Sequence, residues 1–240
     1  MARIVQSLPC LVEDFVYDGL ADVPRQHIYA GLNNLFGEVS WFYPGSGATS
    51  NSRNVTYNYM DSSGQRPIWT IGSLARSTWA DSAIFGKPHG TEYDSSSTSD
   101  ATVGNTDGCT TYYEHETGTN QIKAGATTAI QASIESGDFD IGQSPLPQQG
   151  DGEFMMKISR VIPDFLTQTG DARVTLNLKN YPTDAEASSS LGPFTTTTST
   201  TKIDTRARAR AIALKVDNTS TTQHWKLGTF RLDIQPDGRR

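Results

Sequence analysis

Residues Asn54-Val55-Thr56-Tyr57-Asn58-Tyr59-Met60 alternate, with Val55, Tyr57 and Tyr59 on one face. The turn sequence Asp61-Ser62-Ser63-Gly64 follows, and Pro67-Ile68-Trp69-Thr70-Ile71-Gly72 returns. Period-two alternation of β-branched and aromatic residues, closed by small polar residues, encodes a hairpin with a rather long loop. The same texture recurs along the chain. Glu38-Val39-Ser40-Trp41-Phe42-Tyr43-Pro44 is an aromatic-rich strand ended by a Pro-Gly turn, and residues 109–116 form another, closed at Thr117-Gly118. Further strands are predicted at residues 153–161, 173–179, 205–216 and 225–234. Helix-compatible periodicity is confined to residues 26–35 and part of 127–134. The expectation is an all-β protein of propeller-like blades and/or a β-sandwich, with one short helix near the N-terminus. Residues 1–130 read as a blade-like hairpin region holding that helix, and residues 131–240 as a C-terminal β-domain with basic terminal strands. Polar, low-complexity loops are expected at residues 95–99, 143–152 and 195–201.

A chain of 240 residues can bury a sizeable core, yet its hydrophobic fraction is only 35%. Sheets with one wet face, or burial completed against other subunits, account for so low a value. No run approaches the roughly 18–20 apolar residues of a membrane span, so no membrane insertion is expected. The first residues lack the longer apolar stretch and cleavage site of a secretory signal, which predicts a soluble chain without a targeting segment. Cys10 and Cys109 are two thiols far apart, neither a disulfide framework nor a zinc site. His27, His89, His115 and His224 have no partners at metal-ligand spacing, and neither metal nor cofactor is expected.

Charge is unevenly distributed. Residues 202–240 hold nine Lys/Arg against four Asp/Glu, a balance of +5, whereas residues 1–201 hold eleven against twenty-two, or −11. A net-acidic body argues against non-specific nucleic-acid binding, which Lys and Arg supply by neutralising phosphates. Within Thr205-Arg206-Ala207-Arg208-Ala209-Arg210-Ala211-Ile212-Ala213-Leu214-Lys215-Val216, a single strand would put Arg206, Arg208 and Arg210 on the face of Ile212, Leu214 and Val216, with alanines opposite. Those arginines can pair with acids on adjacent strands, with acids of a neighbouring subunit, or with phosphate. The planar guanidinium suits the first two best. Arg206, Arg208, Arg210, Arg239 and Arg240 are therefore the candidate subunit-contact residues.

The usual catalytic signatures are missing: no G-x-S-x-G elbow, P-loop, H-E-x-x-H or paired C-x-x-C occurs. In a strand, Glu114 and Glu116 face one way and His115 the other, so the three do not converge. Asp138 and Asp140 stand at a spacing too common to mark a glycosidase, whose carboxylates, with Glu153 as a further candidate, must be judged by spatial separation. No enzyme is expected. Trp41, Trp69, Trp79 and Trp225 are expected as packing residues, with a glycan-binding surface as the alternative.

Several of these segments, taken in order, resemble the tail nozzle proteins of short-tailed bacteriophages, also called tail tubular protein B or tail accessory or stabilisation proteins. They are the strands 38–44 and 55–59, the stretch Trp69-Thr70-Ile71-Gly72-Ser73-Leu74-Ala75-Arg76-Ser77-Thr78-Trp79-Ala80-Asp81, Pro88-His89-Gly90, and Tyr113-Glu114-His115-Glu116-Thr117-Gly118. Ile158-Ser159-Arg160-Val161-Ile162-Pro163-Asp164-Phe165, Gly192-Pro193-Phe194, the alternating Arg-Ala run and the ending Arg231–Arg240 complete the set. The resemblance implies a virion structural protein in a ring, usually six-fold, below the portal and adaptor rings, extending the channel through which DNA leaves without specific binding. It implies a β-rich fold with a propeller-like part. Family members are usually much longer, and this chain starts near what would be their C-terminal third, which implies either that a second chain supplies the missing N-terminal β-structure or that this is a shortened version. The alternative function is a receptor- or glycan-binding tail module.

Overall fold

The computed structural model describes residues 10, 12–20, 27–63, 66–94, 109–123, 125–141, 154–181 and 189–238. Two compact units divide the chain, Met1–Gly118 and Thr119–Arg240. Both are built of antiparallel sheet, so the protein is all-β.

In the first unit a short helix α1 (Glu13–Asp18) precedes four strands, β1 (Tyr29–Asn33), β2 (Glu38–Tyr43), β3 (Arg53–Ser63) and β4 (Arg66–Gly72). Glu13 and Asp14 lie in the first turn of α1, where carboxylates complement the helix dipole. The four strands pair in chain order as a meander. Their register aligns two apolar rows on one face, Leu32–Val39–Tyr57–Trp69 and Ala30–Trp41–Val55–Ile71. The second sheet contains β5 (Thr78–Ala80), β6 (His89–Asp94) and β7 (Cys109–Glu114), with a single helical turn α2 (Ser82–Phe85) between β5 and β6. Asp81 caps that turn by accepting from the Ser82 N–H, and Gly86 ends it at φ 76°, a left-handed conformation that glycine adopts without strain.

The helix expected at residues 26–35 is absent. Tyr29–Asn33 pair with β2 along their whole length, and Gly31 lets that strand lie against Trp79, whose ring would be 2.5 Å from any Cβ placed there. Cross-strand pairing and this contact override a weak helical periodicity. The short N-terminal helix is α1 instead. Residues 127–134 are likewise extended, for the reason given below.

The second unit opens with the hairpin β8 (Asn120–Lys123) and β9 (Ala126–Ala129), which the sequence grouping placed with the first region. Then come β10 (Ser133–Glu135), β11 (Met156–Ile162), β12 (Phe165–Thr169), β13 (Ala172–Lys179) and β14 (Ser189–Thr196). The last strands are β15 (Ile203–Ala209), β16 (Ala211–Asp217), β17 (His224–Leu227) and β18 (Arg231–Pro236). One sheet has the order β10-β16-β13-β14 and another β15-β11-β18; β12 pairs with β17. Met156, Ile158 and Val161 of β11 and Ala207 and Ala209 of β15 meet Val174, Leu176, Ile212 and Val216 of the other sheet in one core. Two sheets closing on a common core make a β-sandwich. Residues 127–134 become β9 and β10 because their β-branched threonines and Ile134 find strand partners in β8 and β16. No propeller closes among the described residues, although β1–β4 have the up-and-down order of one blade.

Residues 205–216, expected as one strand, are two. The chain leaves the β11 sheet at Ala209 and joins the β13 sheet at Ala211, with the Arg210 N–H donating to the Lys179 carbonyl at the corner (3.1 Å). The parity inferred for a single strand therefore fails across Arg210. Residues 225–234 also divide, at Gly228. Its N–H donates to the Asp164 carbonyl, and a Cβ there would lie 2.9 Å from that same oxygen. Of the polar loops expected, residues 95–99 and 143–152 lie outside the described residues, and residues 195–196 belong to β14.

Candidate assembly surface

β15 alternates without a break: Ile203, Thr205, Ala207 and Ala209 are buried, while Asp204, Arg206 and Arg208 are exposed. The two alanines face the core at 1% and 0% exposure, because their small side chains let β15 lie close to the opposite sheet. Thr205 extends the seal by donating its hydroxyl to the Ile158 carbonyl (2.7 Å). The register shifts beside Ser159 on both sides: against β18 the extra residue is on β11, and against β15 it is on β15, bulges that increase the local twist.

On the outer face, Arg160 bridges both edge strands, donating to Asp204 (3.2 Å) and reaching Asp233 (3.5 Å). Lys202 also contacts Asp204 (2.9 Å). Hydrogen bonds from Lys202 and then Arg160 hold the Asp204 carboxyl below its ordinary value. Arg208 donates to the Asp237 carboxylate (2.5 Å) and backbone carbonyl (3.1 Å). The pairing of β-strand arginines with acids on nearby strands thus holds for Arg208. Lys157, however, stands directly opposite Arg208 and Gln235. Like charges in cross-strand register repel. Among the described residues neither Lys157 nor Arg206 has an ion-pair partner. Arg210 is half-buried at the corner between strands, away from this row, and Arg239 and Arg240 lie outside the described residues.

The other sequence candidates fall elsewhere. Glu114 is exposed and pairs with Lys87 (3.2 Å) and Thr117; Glu116 accepts from Asn33 (3.2 Å). His115 turns inward, packing on Trp79 (4.5 Å between ring centroids) and accepting at Nε2 from Arg76 Nε (2.9 Å). Arg76, which no sequence pattern singled out as buried, is the hub of this unit. It is 5% exposed, lies over the Tyr113 ring (4.1 Å) and reaches Glu92 (3.7 Å), which also accepts from the Tyr113 hydroxyl (2.8 Å).

Burial first, then the positive charges of Arg76 and His89, push His115 down to about 4. The unfolded chain therefore binds a proton between about pH 6.5 and 4 that the folded chain refuses. Stability from this group is complete above pH 6.5 and is lost as pH falls towards 4, with no further change below. The full linkage is about 3 kcal/mol, and partial exposure screens it to about 1–2 kcal/mol. Urea denaturation across this window should show that slope, and His115→Gln should flatten it.

Asp138 is engaged by Lys179 (2.6 Å), and Glu153 lies outside the described residues. A polar cleft of about 440 Å³ on the β13 sheet is lined by Glu135, Arg173, Thr175, Asn177, Lys215 and Asp217, with Pro193 at its margin. Its charges are largely satisfied internally: Arg173 pairs bidentately with Asp217 (2.7 Å for both bonds), and Asn177 donates to Glu135 (2.6 Å). The tryptophans pack as expected: Trp69 with Trp41 and Tyr57, Trp79 with Phe42, and Trp225 with Phe165. Cys10 is a half-buried free thiol beside an apolar groove lined by Val16, Tyr17, Trp41 and Trp69. No three His, Cys, Asp or Glu side chains converge as a metal site among the described residues, and no described helix is long and apolar enough to cross a membrane. No family model matches the chain, and no curated protein matches it.

Proposed function

We propose that the chain is a non-enzymatic structural subunit of a bacteriophage tail, of the nozzle type, contributing to a ring through which DNA leaves the virion. The observation that carries this reading is the outer face of the β15-β11-β18 sheet. Lys157 and Arg206 remain un-neutralised there beside Arg208, on a rigid scaffold sealed beneath by Ala207 and Ala209. Like charges held in register are relieved when acids from outside meet them. Residues 1–201 carry the acidic excess, and subunits of a homo-hexameric ring meet through two different complementary surfaces. Contacts with an adaptor ring and with a second chain completing the β-structure belong to the same reading. The acidic balance lets DNA pass without being held.

The clustered Trp41, Tyr57 and Trp69 favour a second reading, a receptor- or glycan-binding tail module. One experiment separates the two. Lys157→Ser with Arg206→Ser should weaken self-assembly about tenfold and flatten its dependence on salt, read by sedimentation and electron microscopy. Unchanged assembly and salt response would falsify the ring contact. Glycan-array binding abolished by Trp69→Ala would favour the receptor module.

A further inference from the structure

We infer that the outer edge of β4 is a pairing site for a second copy of this chain, joined antiparallel about a two-fold axis at Ile71. This goes beyond the proposed function and uses the first unit instead of the arginine face.

The orientation of the β4 backbone follows from three hydrogen bonds. The Ile68 N–H donates to Ser62 Oγ (2.8 Å), and Ser62 in turn bonds the Asn58 carbonyl, so Ile68 points its backbone towards β3. The Leu74 N–H donates to Asn54 Oδ1 (3.1 Å), again towards β3. The Tyr59 N–H donates to Gly37 on the opposite side, so the odd-numbered residues of β3 serve β2 and the even-numbered ones serve β4. Residues 68, 70 and 72 therefore bond inward, and the N–H and C=O of Ile71 point outward. β4 has β3 as its only strand neighbour among the described sheets.

An edge strand left in this state is a template for another strand. β15 and β18, the edges of the C-terminal sheet, carry Asp204, Arg206, Arg208, Arg231 and Asp233, charges that discourage strand addition. Residues Pro67–Gly72 carry none. Pro67 faces outward at the start of the strand, where its missing N–H breaks no bond to β3.

A second copy is the occupant that fits, because the apolar row ends on the residue with the open backbone. Ala30, Trp41, Val55 and Ile71 lie in one cross-strand row, and Ile71 is 45% exposed. With the two-fold on Ile71, its N–H donates to the partner's Ile71 carbonyl and the reverse bond forms by symmetry. The two isoleucines then meet on the apolar face, and the row continues unbroken across eight strands. Pairs of β-branched residues in such register stabilise a sheet. This contact is isologous and the charged contact is not, so the two are distinct surfaces.

The register makes a specific disulfide test. In the full chain with Cys10→Ser and Cys109→Ser, Ile71→Cys should cross-link to a dimer under mild oxidation, since directly opposed bonded residues have Cα atoms about 5.5 Å apart. Ile68→Cys, exposed on the same strand, should not, because two-fold symmetry puts its copies about 20 Å apart. Independently, Ile71→Pro removes only the outward N–H and should weaken dimerisation about tenfold or more in sedimentation equilibrium. Circular dichroism would confirm its fold, and Ile71→Lys should act in the same direction. Equal cross-linking at the two positions, or a folded Ile71→Pro protein with unchanged association, would overturn the pairing, as would a wild-type chain that stays monomeric at high micromolar concentration.

Discussion

Arg76→Ala is expected to destabilise the first unit by about 3–5 kcal/mol, the range for removing one partner from a buried charge network. The guanidinium has almost no solvent contact, and burial lowers its pKa more than Glu92 and Tyr113 raise it. It donates to His115 Nε2 and to the Ala75 carbonyl while covering the Tyr113 ring. Removing it takes the cationic partner from Glu92, a carboxylate that is only 17% exposed and also accepts from the Tyr113 hydroxyl. It also opens space beneath Trp79, which packs on His115 and donates its indole N–H to the Leu32 carbonyl (2.7 Å). Arg76→Lys keeps the charge but loses the planar fork and the stacking on Tyr113, and should lose a smaller part of the same stability. Urea denaturation followed by tryptophan fluorescence reports on this directly, because Trp41, Trp69 and Trp79 all belong to this unit. A loss under about 1 kcal/mol would mean that water replaces the guanidinium at little cost, and that the network is not what fixes β5, β6 and β7 together.

Local patterning made some of this structure legible and left the rest hidden. The hairpin of β3 and β4, the aromatic strand β2 and the core strand β13 carry their alternation in consecutive residues, so period and turn chemistry suffice to place them. The exposed arginines of β15 were visible in the same way. What lay beyond reach is non-local. The corner at Arg210 depends on which sheet each half of the run joins, and the alternation of Arg and Ala continues through it without a mark. The extended state of Tyr29–Asn33 depends on β2 and on Trp79, forty-eight residues after Gly31. Arg76 sits in an irregular stretch between β4 and β5, where nothing local distinguishes a buried guanidinium from a solvated one. Its partners Glu92, Tyr113 and His115 come from later strands, and only the fold brings them together.

The corner at Arg210 separates two descriptions of the arginine run by experiment. As one continuous strand, the run would set Ala207 and Ala209 on a face opposite to Ile212 and Val216. In the structure all four point into the same core. Ala209→Asp should therefore bury an unpaired carboxylate among Met156, Ile158 and Ile212 and cost the second unit about 3–5 kcal/mol, enough to unfold a marginal domain. Arg206→Asp, three residues earlier and on the outer face, should change stability by no more than about 0.5 kcal/mol, although it reverses the charge of the proposed contact. The pair thus dissociates folding from assembly. Ala209→Asp should lose amide protection across β11, β13 and β16 in hydrogen exchange, while Arg206→Asp keeps that protection and loses salt-sensitive association. If Ala209→Asp were tolerated as well as Arg206→Asp, β15 would not be sealed against the opposite sheet. The arginine row would then have no rigid backing from which to hold a neighbouring subunit.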